Sequence, residues 1–592
     1  MYRAPTKDIL FVLNELIGAQ TVSTCPEFAD YSPELAESVL DEAARFAQDV
    51  LDPLNKVGDE EGVKWSPEGV KTAKGFKEAY AQFVEGGWPQ LSTDVEHGGQ
   101  GVPQMLSTAV QEILGSANLS FKLCPMLTFG AIEALALCGT PEQQKKYLTK
   151  MVSGEWTGTM NLTEPQAGSD LAQVRTRAVP EGDHYRLFGQ KIFITWGEHD
   201  LTENIVHMVL GRIDGSPPGV KGTSLFIVPK ILVNDDGSLG ERNEVRCASV
   251  EHKLGIHASP TCVMAYGDQK GAVAYLVGEA NRGLEYMFIM MNAARLSVGL
   301  EGYALAERSF QHALEYARTR VQGKPPGYSG SGPATIVHQP DVKRLLLTMK
   351  ASTEAMRALG LYAASRLDLA RHSTDVAQKS AAQTRGDLLI PIVKGWSTEL
   401  GIEMTSLGIQ VHGGMGFIEE TGAAQYYRDV RITAIYEGTT AIQSNDLIGR
   451  KIGRDRGEAM KTLIAEMDRE LKALDVSHPS TQISQKAALE AVGLLREATE
   501  SLLQAISVTP ERALAVSVPY LELSGFVIGG WLMAKASAIA ASKTSDKDSG
   551  FYTGKLNTTR FYAEQVLPSA LNLARVVKGG AASVLEADAA LL

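Results

Sequence analysis

The sequence predicts a mainly α-helical chain with a compact all-β domain near its centre. Residues 1–158 carry apolar side chains at three- and four-residue spacing, which is the period of amphipathic helices. Across 159–281, short runs rich in β-branched and aromatic residues alternate with turn clusters such as DGSPPG and NDDGSLG, as in strands. The helical period then returns. These observations predict four domains, with boundaries at 1–158, 159–281, 282–450 and 451–592.

Local signals support individual elements within this order. Ser32 and Pro33 are placed as the cap and first turn of a helix. The runs YRLFG, KIFIT, IVHMVLGRI, TSLFIV and VAYLV predict strands of the β domain. After Gly283, apolar residues recur on one face of a long helix that runs toward Arg320. The Gly/Pro-rich segment 323–333 predicts a loop without regular structure.

Composition narrows the class of protein. The 592 residues include 57 basic and 69 acidic side chains, a net charge of −12, which argues against a general binder of nucleic acid or anionic membranes. The apolar run 523–534 is too short to cross a bilayer and is expected to form a buried core helix. Five cysteines without a CxxC pair, and no visible targeting segment, lead us to expect a soluble cytoplasmic protein with reduced thiols.

Several common catalytic motifs are missing from the sequence. It contains no GxGxxG fingerprint after a strand, no GxxxxGK[ST] phosphate loop, no HExxH zinc helix and no GxSxG elbow. The eleven histidines do not cluster beyond pairs such as His252 and His257, which are better interpreted as satisfied polar residues. We therefore expect no metal site.

Three segments combine glycines, hydroxyls, aromatic residues and a carboxylate. MNLTEPQAGSD, residues 160–170, suits a tight loop against a polar ring edge or a phosphate. GQKIFITWG, residues 189–197, offers an aromatic face and a hydroxyl to a planar ligand. Residues 410–443 place a glycine cluster before the sequence YEGTT. Taken singly, each has an ordinary interpretation as a turn, a core strand or solvated surface.

Taken together and in this order, the segments resemble the acyl-CoA dehydrogenase family. TEPQAGSD, GQKIFIT, AARLSVGLEGYALAERSFQHALEYARTRVQG, HQPDVKRLL and RDVRITAIYEGTT match its pattern over about 85–450. The resemblance implies a helical N-terminal domain, a central β-barrel and a four-helix C-terminal domain, with FAD bound between them. Total length and the first residues are similar to a longer subgroup that has an additional C-terminal helical domain.

The resemblance also implies a reaction, the FAD-dependent α,β-dehydrogenation of an acyl-CoA thioester. A base removes the α-proton while the β-hydrogen leaves as hydride to flavin N5. By resemblance the catalytic base is Glu437, whose pKa we expect burial against the acyl chain to raise. Its backbone N–H is expected to stabilise the enolate oxygen. A few relatives place the base just before the arginine corresponding to Arg295, but here that residue is Ala294.

Further site residues follow from the same resemblance. The expected FAD contacts are Leu162, Thr163, Gly168, Ser169, Phe193, Thr195, Arg320, Gln410, Gly413, Gly414 and Thr439. The expected substrate contacts are Ser169, Arg295, Tyr436 and Gly438. Arg320, Gln410, Gly413 and Gly414 should reach the FAD of a neighbouring subunit, which implies a homodimer.

Three features depart from the family pattern. Phe193 stands where many relatives have Trp, and Ala441 where the family often has Gln or Glu. The loop 323–333 also lengthens the segment after Arg320.

The substrate and the electron acceptor are left open by the sequence. The subgroup implies a short thioether acyl-CoA, with short or medium straight-chain acyl-CoA as the alternative. Electron-transfer flavoprotein is the expected acceptor, and an acyl-CoA oxidase that uses O₂ is the rival on the same fold. A non-catalytic DNA-binding relative is the rival of another class. The 16 basic and 16 acidic residues of 451–592, and Glu437 itself, argue against it.

Overall fold

A computed structural model describes residues 1–545 and 547–591. The chain divides into two compact units. Unit 1 contains Met1–Ala44, Pro103–Ser116 and Val298–Leu592, and unit 2 contains Arg45–Val102 and Ala117–Ser297. The strands lie in unit 2, whereas unit 1 is helical among the described residues.

The strands of unit 2 have three to nine residues each, apart from β5, which has twelve. They are β1 Lys64–Ser66, β2 Gly69–Lys71, β3 Thr157–Asn161, β4 Arg177–Glu181, β5 His184–Thr195, β6 Ile205–Ile213, β7 Ser224–Pro229, β8 Ile231–Val233, β9 Leu239–Arg242, β10 Val245–Val250, β11 Thr261–Tyr266 and β12 Ala272–Val277. The predicted runs YRLFG and KIFIT are one continuous strand, β5.

The main sheet closes on itself. Its strand order is β10-β11-β5-β12-β7-β6-β3, and β4 pairs with both β5 and β6. The pairings β5–β12–β7–β6–β4–β5 therefore return to the starting strand, which makes the centre of the sheet a barrel. The pairs β3–β6 and β4–β6 are parallel, and the other pairs are antiparallel. This confirms the predicted β-barrel domain.

Both faces of the barrel strands β6 and β7 are buried. In β6, Met208 and Leu210 belong to one apolar cluster and Val209 to another. In β7, Ile227 belongs to the first cluster and Phe226 to the second. Successive strand residues point to opposite faces, so one cluster fills the barrel and the other packs beneath the helices of the same unit. These strands therefore read as continuous apolar runs.

Helices complete unit 2, with one departure from the sequence interpretation. The α-helices are Asp52–Glu61, Phe76–Glu85, Leu119–Cys138, Pro141–Gln143 and Thr149–Val152. The hairpin β1–β2, at 64–71, lies in a part of the chain that the sequence predicts as helical. Each of its strands has three residues, which is too short for a period of two to stand out.

Unit 1 is built from long helices, some of which cross its boundary. They are Thr6–Leu10, Gln20–Ser23, Pro33–Phe46, Gln104–Ala117, Gly283–Thr319, Pro340–His372, Val376–His412, Ala423–Val430, Thr440–Asp446, Glu458–Lys472, Pro479–Val508, Pro510–Ala515, Ser517–Ser542, Ser549–Phe561, Ser569–Gly579 and Ala581–Leu585. Ser32 caps Pro33–Phe46 through a 3.2 Å bond from the Leu35 N–H, as predicted. The predicted long helix after Gly283 is also confirmed.

Small residues let two long helices of unit 1 approach closely. A Cβ atom on Gly302 would lie 2.1 Å from the Ser397 carbonyl oxygen, and one on Gly401 would lie 2.5 Å from the Gly302 carbonyl oxygen. Only glycine fits at such a crossing. The helix Val376–His412 is thereby fixed in depth and rotation against Gly283–Thr319 within this unit.

Two helices have the length and apolarity of a membrane span, Leu119–Cys138 and Ser517–Ser542. Their most apolar windows are 72% and 78% buried inside the protein, as in core helices of globular domains. The predicted core run 523–534 lies within the second of them.

Candidate functional site

The TEPQAGSD segment forms a loop that is bonded to the barrel in unit 2. Glu164 and Ala167 exchange backbone hydrogen bonds of 3.0 and 2.9 Å, which closes a tight turn. The Ile192 N–H donates to the Thr163 carbonyl at 2.9 Å and so ties the loop to β5. Two of the three predicted segments, 160–170 and 189–197, are therefore in direct contact.

A buried ion pair holds the same loop from inside. The Lys191 ammonium is fully buried and donates at 2.8 Å to the Glu164 carboxylate and to the Leu162 carbonyl. Burial opposes ionisation of Glu164, but Lys191 and hydrogen bonds from Thr176 and Arg175 outweigh it and lower the pKa of Glu164 to about 2. Sequence reasoning missed this pair. The feature of the sequence that could have indicated it is Lys191, a charged residue within the predicted strand KIFIT.

A β-bulge turns Phe193 outward. Cys262 of β11 lies opposite Ile194 and Met264 lies opposite Lys191, so two residues of β5 face one residue of β11. Bulges of this kind redirect a side chain. Phe193 has φ 60° and is 58% exposed, which is unusual for a large aromatic residue.

Two hydroxyls in these segments, those of Thr163 in the loop and Thr195 in β5, have no hydrogen-bond partner within the described chain. Thr163 and Thr195 are half-buried, and the Ser169 hydroxyl on the loop is exposed. A Cβ on Gly168 would meet nothing within 4 Å, so the backbone there is open to a ligand. An exposed aromatic face beside free hydroxyl groups fits the flat ring and polar edge of a flavin. Of the predicted FAD contacts in unit 2, Leu162 completes this surface as a partly buried residue.

Arg295, one of the two predicted substrate contacts in unit 2, is buried. It is 5% exposed, and its guanidinium carbon lies 6.0 Å from the centre of the Phe288 ring. The ordinary alternative role for this arginine is a salt bridge on the solvent-exposed surface of a helix. Its burial does not fit that role. Nearby along the same helix, the Ser297 hydroxyl accepts a 2.7 Å bond from the buried Lys122.

The predicted base lies in unit 1 on a strained turn, which we call the base turn and define as residues 436–440. Glu437 is half-buried with φ 55°, and Gly438 follows with φ 93°. A left-handed conformation costs a non-glycine residue roughly 1–2 kcal/mol, and it persists only where the surroundings impose it. Strain of this kind is concentrated at functional sites.

Both carbonyl groups after the strained residue are held by buried side chains. Lys394 donates to the Gly438 carbonyl at 2.7 Å, and Gln443 donates to the Glu437 carbonyl at 3.0 Å. Tyr436 donates its phenol to the buried carboxylate of Glu301. Burial and the Glu301 charge together raise the pKa of Tyr436 well above its usual value, so it stays a neutral donor.

The second half of the base turn opens a helix. The Thr439 hydroxyl caps Thr440–Asp446 by accepting from the Ile442 N–H at 3.4 Å. Thr440 donates to the Glu399 carboxylate at 2.5 Å. Sequence reasoning identified the residues of the turn but not its anchors, because the anchors lie far away along the chain.

The remaining predicted FAD contacts lie on the surface of unit 1. Arg320, Gln410, Gly413 and Gly414 are exposed. Beside the glycines, the apolar residues Met415, Phe417 and Ile418 are 49%, 85% and 44% exposed. Exposed apolar groups next to a glycine cluster are typical of an interaction surface.

Comparison with known families covers most of the chain. The acyl-CoA dehydrogenase N-terminal domain matches residues 33–155, the middle domain 159–268 and the C-terminal domain 281–453. A fourth family, described as acetyl-CoA dehydrogenase C-terminal like, matches residues 463–588.

Individual relatives agree with these matches. A 3-methylmercaptopropionyl-CoA dehydrogenase of Ruegeria pomeroyi is 47% identical over 96% of both chains. A broad-specificity linear acyl-CoA dehydrogenase of Mycobacterium tuberculosis is 35% identical over 100% of this chain and 99% of its own. The structure of an acyl-CoA dehydrogenase from Bacillus anthracis, complexed with FAD, shares the fold with a TM-score of 0.74 at 21% identity, covering 96% of this chain and 91% of its own.

Proposed function

Because the chain belongs to the acyl-CoA dehydrogenase family, an FAD-dependent family of oxidoreductases that act on acyl-CoA, we propose that its substrate is 3-methylmercaptopropionyl-CoA. The product is then methylthioacryloyl-CoA, in the degradation of dimethylsulfoniopropionate. The observation that supports this substrate is the 47% identity with a 3-methylmercaptopropionyl-CoA dehydrogenase over 96% of both chains.

In this proposal Glu437 removes the α-proton of the thioester. Its carboxylate can act repeatedly in one place because buried side chains hold the two carbonyl groups that follow the strained Cα atom, those of Glu437 and Gly438. The backbone N–H of Glu437 stabilises the enolate oxygen that forms as the proton leaves. Arg295, Ser169, Tyr436 and Gly438 contact the substrate.

FAD, when bound, supplies the two-electron acceptor for the β-hydrogen, which no side chain offers. Phe193 would lie against its ring system, and Thr163 and Thr195 would donate to its polar edge. Leu162, Gly168, Ser169 and Thr439 would contact the rest of the cofactor. Support for this assignment comes from the exposed ring of Phe193 and from the two threonine hydroxyls, which have no hydrogen-bond partner among the described residues.

The assembly in this proposal is a cytoplasmic homodimer that passes electrons to electron-transfer flavoprotein. Arg320, Gln410, Gly413 and Gly414 of one subunit would contact the FAD of the other. The exposure of these four residues, and of Phe417 beside them, supports a partner at this surface.

A straight-chain acyl-CoA is the second candidate substrate, favoured by the 35% identity with a dehydrogenase of broad specificity for linear acyl-CoA. The test is kcat/KM for 3-methylmercaptopropionyl-CoA, butyryl-CoA and octanoyl-CoA with an artificial electron acceptor. We expect the thioether substrate to exceed both others by about tenfold or more, which corresponds to about 1.4 kcal/mol of transition-state binding. A preference for octanoyl-CoA would keep the reaction and overturn the substrate.

A further inference from the structure

Two buried side chains are bonded to the backbone of the base turn. We propose that Lys394 and Gln443 are positioning residues that hold the carboxylate of Glu437 in its reactive place. The inference rests on the proposed role of Glu437 as the base, and it assigns no contact with the substrate to either residue.

The contacts are specific to the two peptide groups that follow the base. Lys394 and Gln443 are both fully buried. The Lys394 ammonium donates to the Gly438 carbonyl at 2.7 Å. The Gln443 amide nitrogen donates to the Glu437 carbonyl at 3.0 Å and lies 3.4 Å from the Gly438 carbonyl. Because a peptide group is planar, fixing these oxygens fixes the orientation of both peptide planes.

The strained backbone explains why such anchors matter. At φ 55°, Glu437 occupies a conformation that a chain free to relax would leave. Rotation there would swing the carboxylate away, because the side chain leaves the same Cα atom. The turn is also shaped around Gln443, since a Cβ on Gly438 would lie 2.8 Å from the Gln443 amide nitrogen.

Lys394 is itself held in a rigid frame. Its neighbours Val393 and Ser397 form the close crossing with Gly299 and Gly302, where added Cβ atoms would lie 2.7 and 2.1 Å from them. The helix carrying Lys394 therefore cannot slide or rotate against its neighbour without a clash. Because the helix is fixed, the Lys394 ammonium can hold the Gly438 carbonyl in one position.

The test is Lys394→Met, which keeps the length of the side chain and removes the ammonium group. We measure the rate of flavin reduction at saturating 3-methylmercaptopropionyl-CoA without oxygen, the Kd of the substrate, and the isotope effect of α-deuteration. The reduction rate should fall about tenfold to hundredfold, Kd should change less than about threefold, and the isotope effect should rise. A purely structural role would lower flavin content or melting temperature and leave the isotope effect unchanged.

Lys379→Met is the matched control. Lys379 lies on the same helix, is exposed, and also donates to a backbone carbonyl, that of Arg371 at 2.9 Å. It lies fifteen residues, or about 22 Å, from Lys394 along the helix. Its substitution should leave the reduction rate unchanged.

Gln443→Met provides a second variant if Lys394→Met does not retain flavin, and it should show the same fall in rate. Unchanged reduction in a flavin-loaded variant overturns the inference. If Glu437→Gln abolishes reduction but both anchor variants react normally, the positioning role alone is wrong. If Glu437→Gln itself reacts normally, the proposed base is wrong.

Discussion

At the scale of single residues, the buried pair of Glu164 and Lys191 holds the loop 163–170 against β5. Lys191 and its hydrogen-bonding neighbours outweigh burial and lower the pKa of Glu164 from 4.5 to about 2, while burial lowers the pKa of Lys191 to about 8. A lowered carboxyl pKa contributes stability above about pH 4.5, and this contribution is lost as the pH falls toward 2. The loop should therefore keep its form across the neutral range.

Removing the lysine leaves a buried carboxylate without its counter-charge. We expect Lys191→Met to lower stability by about 3–5 kcal/mol and to release flavin at a lower temperature. Lys146→Met is the control, because its contact with Asp235 is exposed and worth at most about 1 kcal/mol. Flavin fluorescence during heating measures both variants. Equal release temperatures for Lys191→Met and wild type would refute the role of the pair.

At the scale of elements, one arginine joins four helices of unit 1. Arg357 on Pro340–His372 is 1% exposed and bonds Asp8, Glu112 and Glu307, which belong to three other helices. Lys555 extends the cluster to Ser549–Phe561 through Asp8 and Glu354. Burial raises the pKa of Glu112 to about 7 although Arg357 opposes the shift. The first and last parts of the chain are thus bonded to its long helices.

Loss of Arg357 should destabilise these helices together. Arg357→Met removes the cation of Glu112 and Glu307 and leaves Asp8 with Lys555 alone, and we expect it to reduce the free energy of unfolding by about 3–5 kcal/mol. Arg344→Met, on the same helix, removes an exposed contact with Asp341 and should cost about 0–1 kcal/mol. Chemical denaturation followed by circular dichroism compares the two. Similar losses for both variants would contradict a structural role for the cluster.

At the scale of the whole molecule, the order of helical and β regions could be predicted because periodicity is local. Barrel closure could not, since it depends on the parallel contact of Arg177 with Arg212, 35 positions apart. The hairpin at 64–71 escaped prediction because its strands are too short to show a period.

The candidate site also has one part that could be predicted from the sequence and one part that could not. Glu437 and its neighbours could be named from the motif, which is contiguous. The bonds that hold them could not, because Lys394 is 44 positions from Gly438 and Glu301 is 135 positions from Tyr436. Long-range side-chain contacts leave no local pattern in a single sequence.

The most direct test of the account is Glu437→Gln, mixed without oxygen with 3-methylmercaptopropionyl-CoA while the visible absorbance of the flavin is followed. Glutamine keeps the size of the side chain but cannot accept the α-proton, so bleaching should slow by about 100-fold or more with flavin still bound. The exposed Glu420→Gln serves as the control and should bleach like wild type. Bleaching of flavin-loaded Glu437→Gln at the wild-type rate would contradict the assignment of Glu437 as the base.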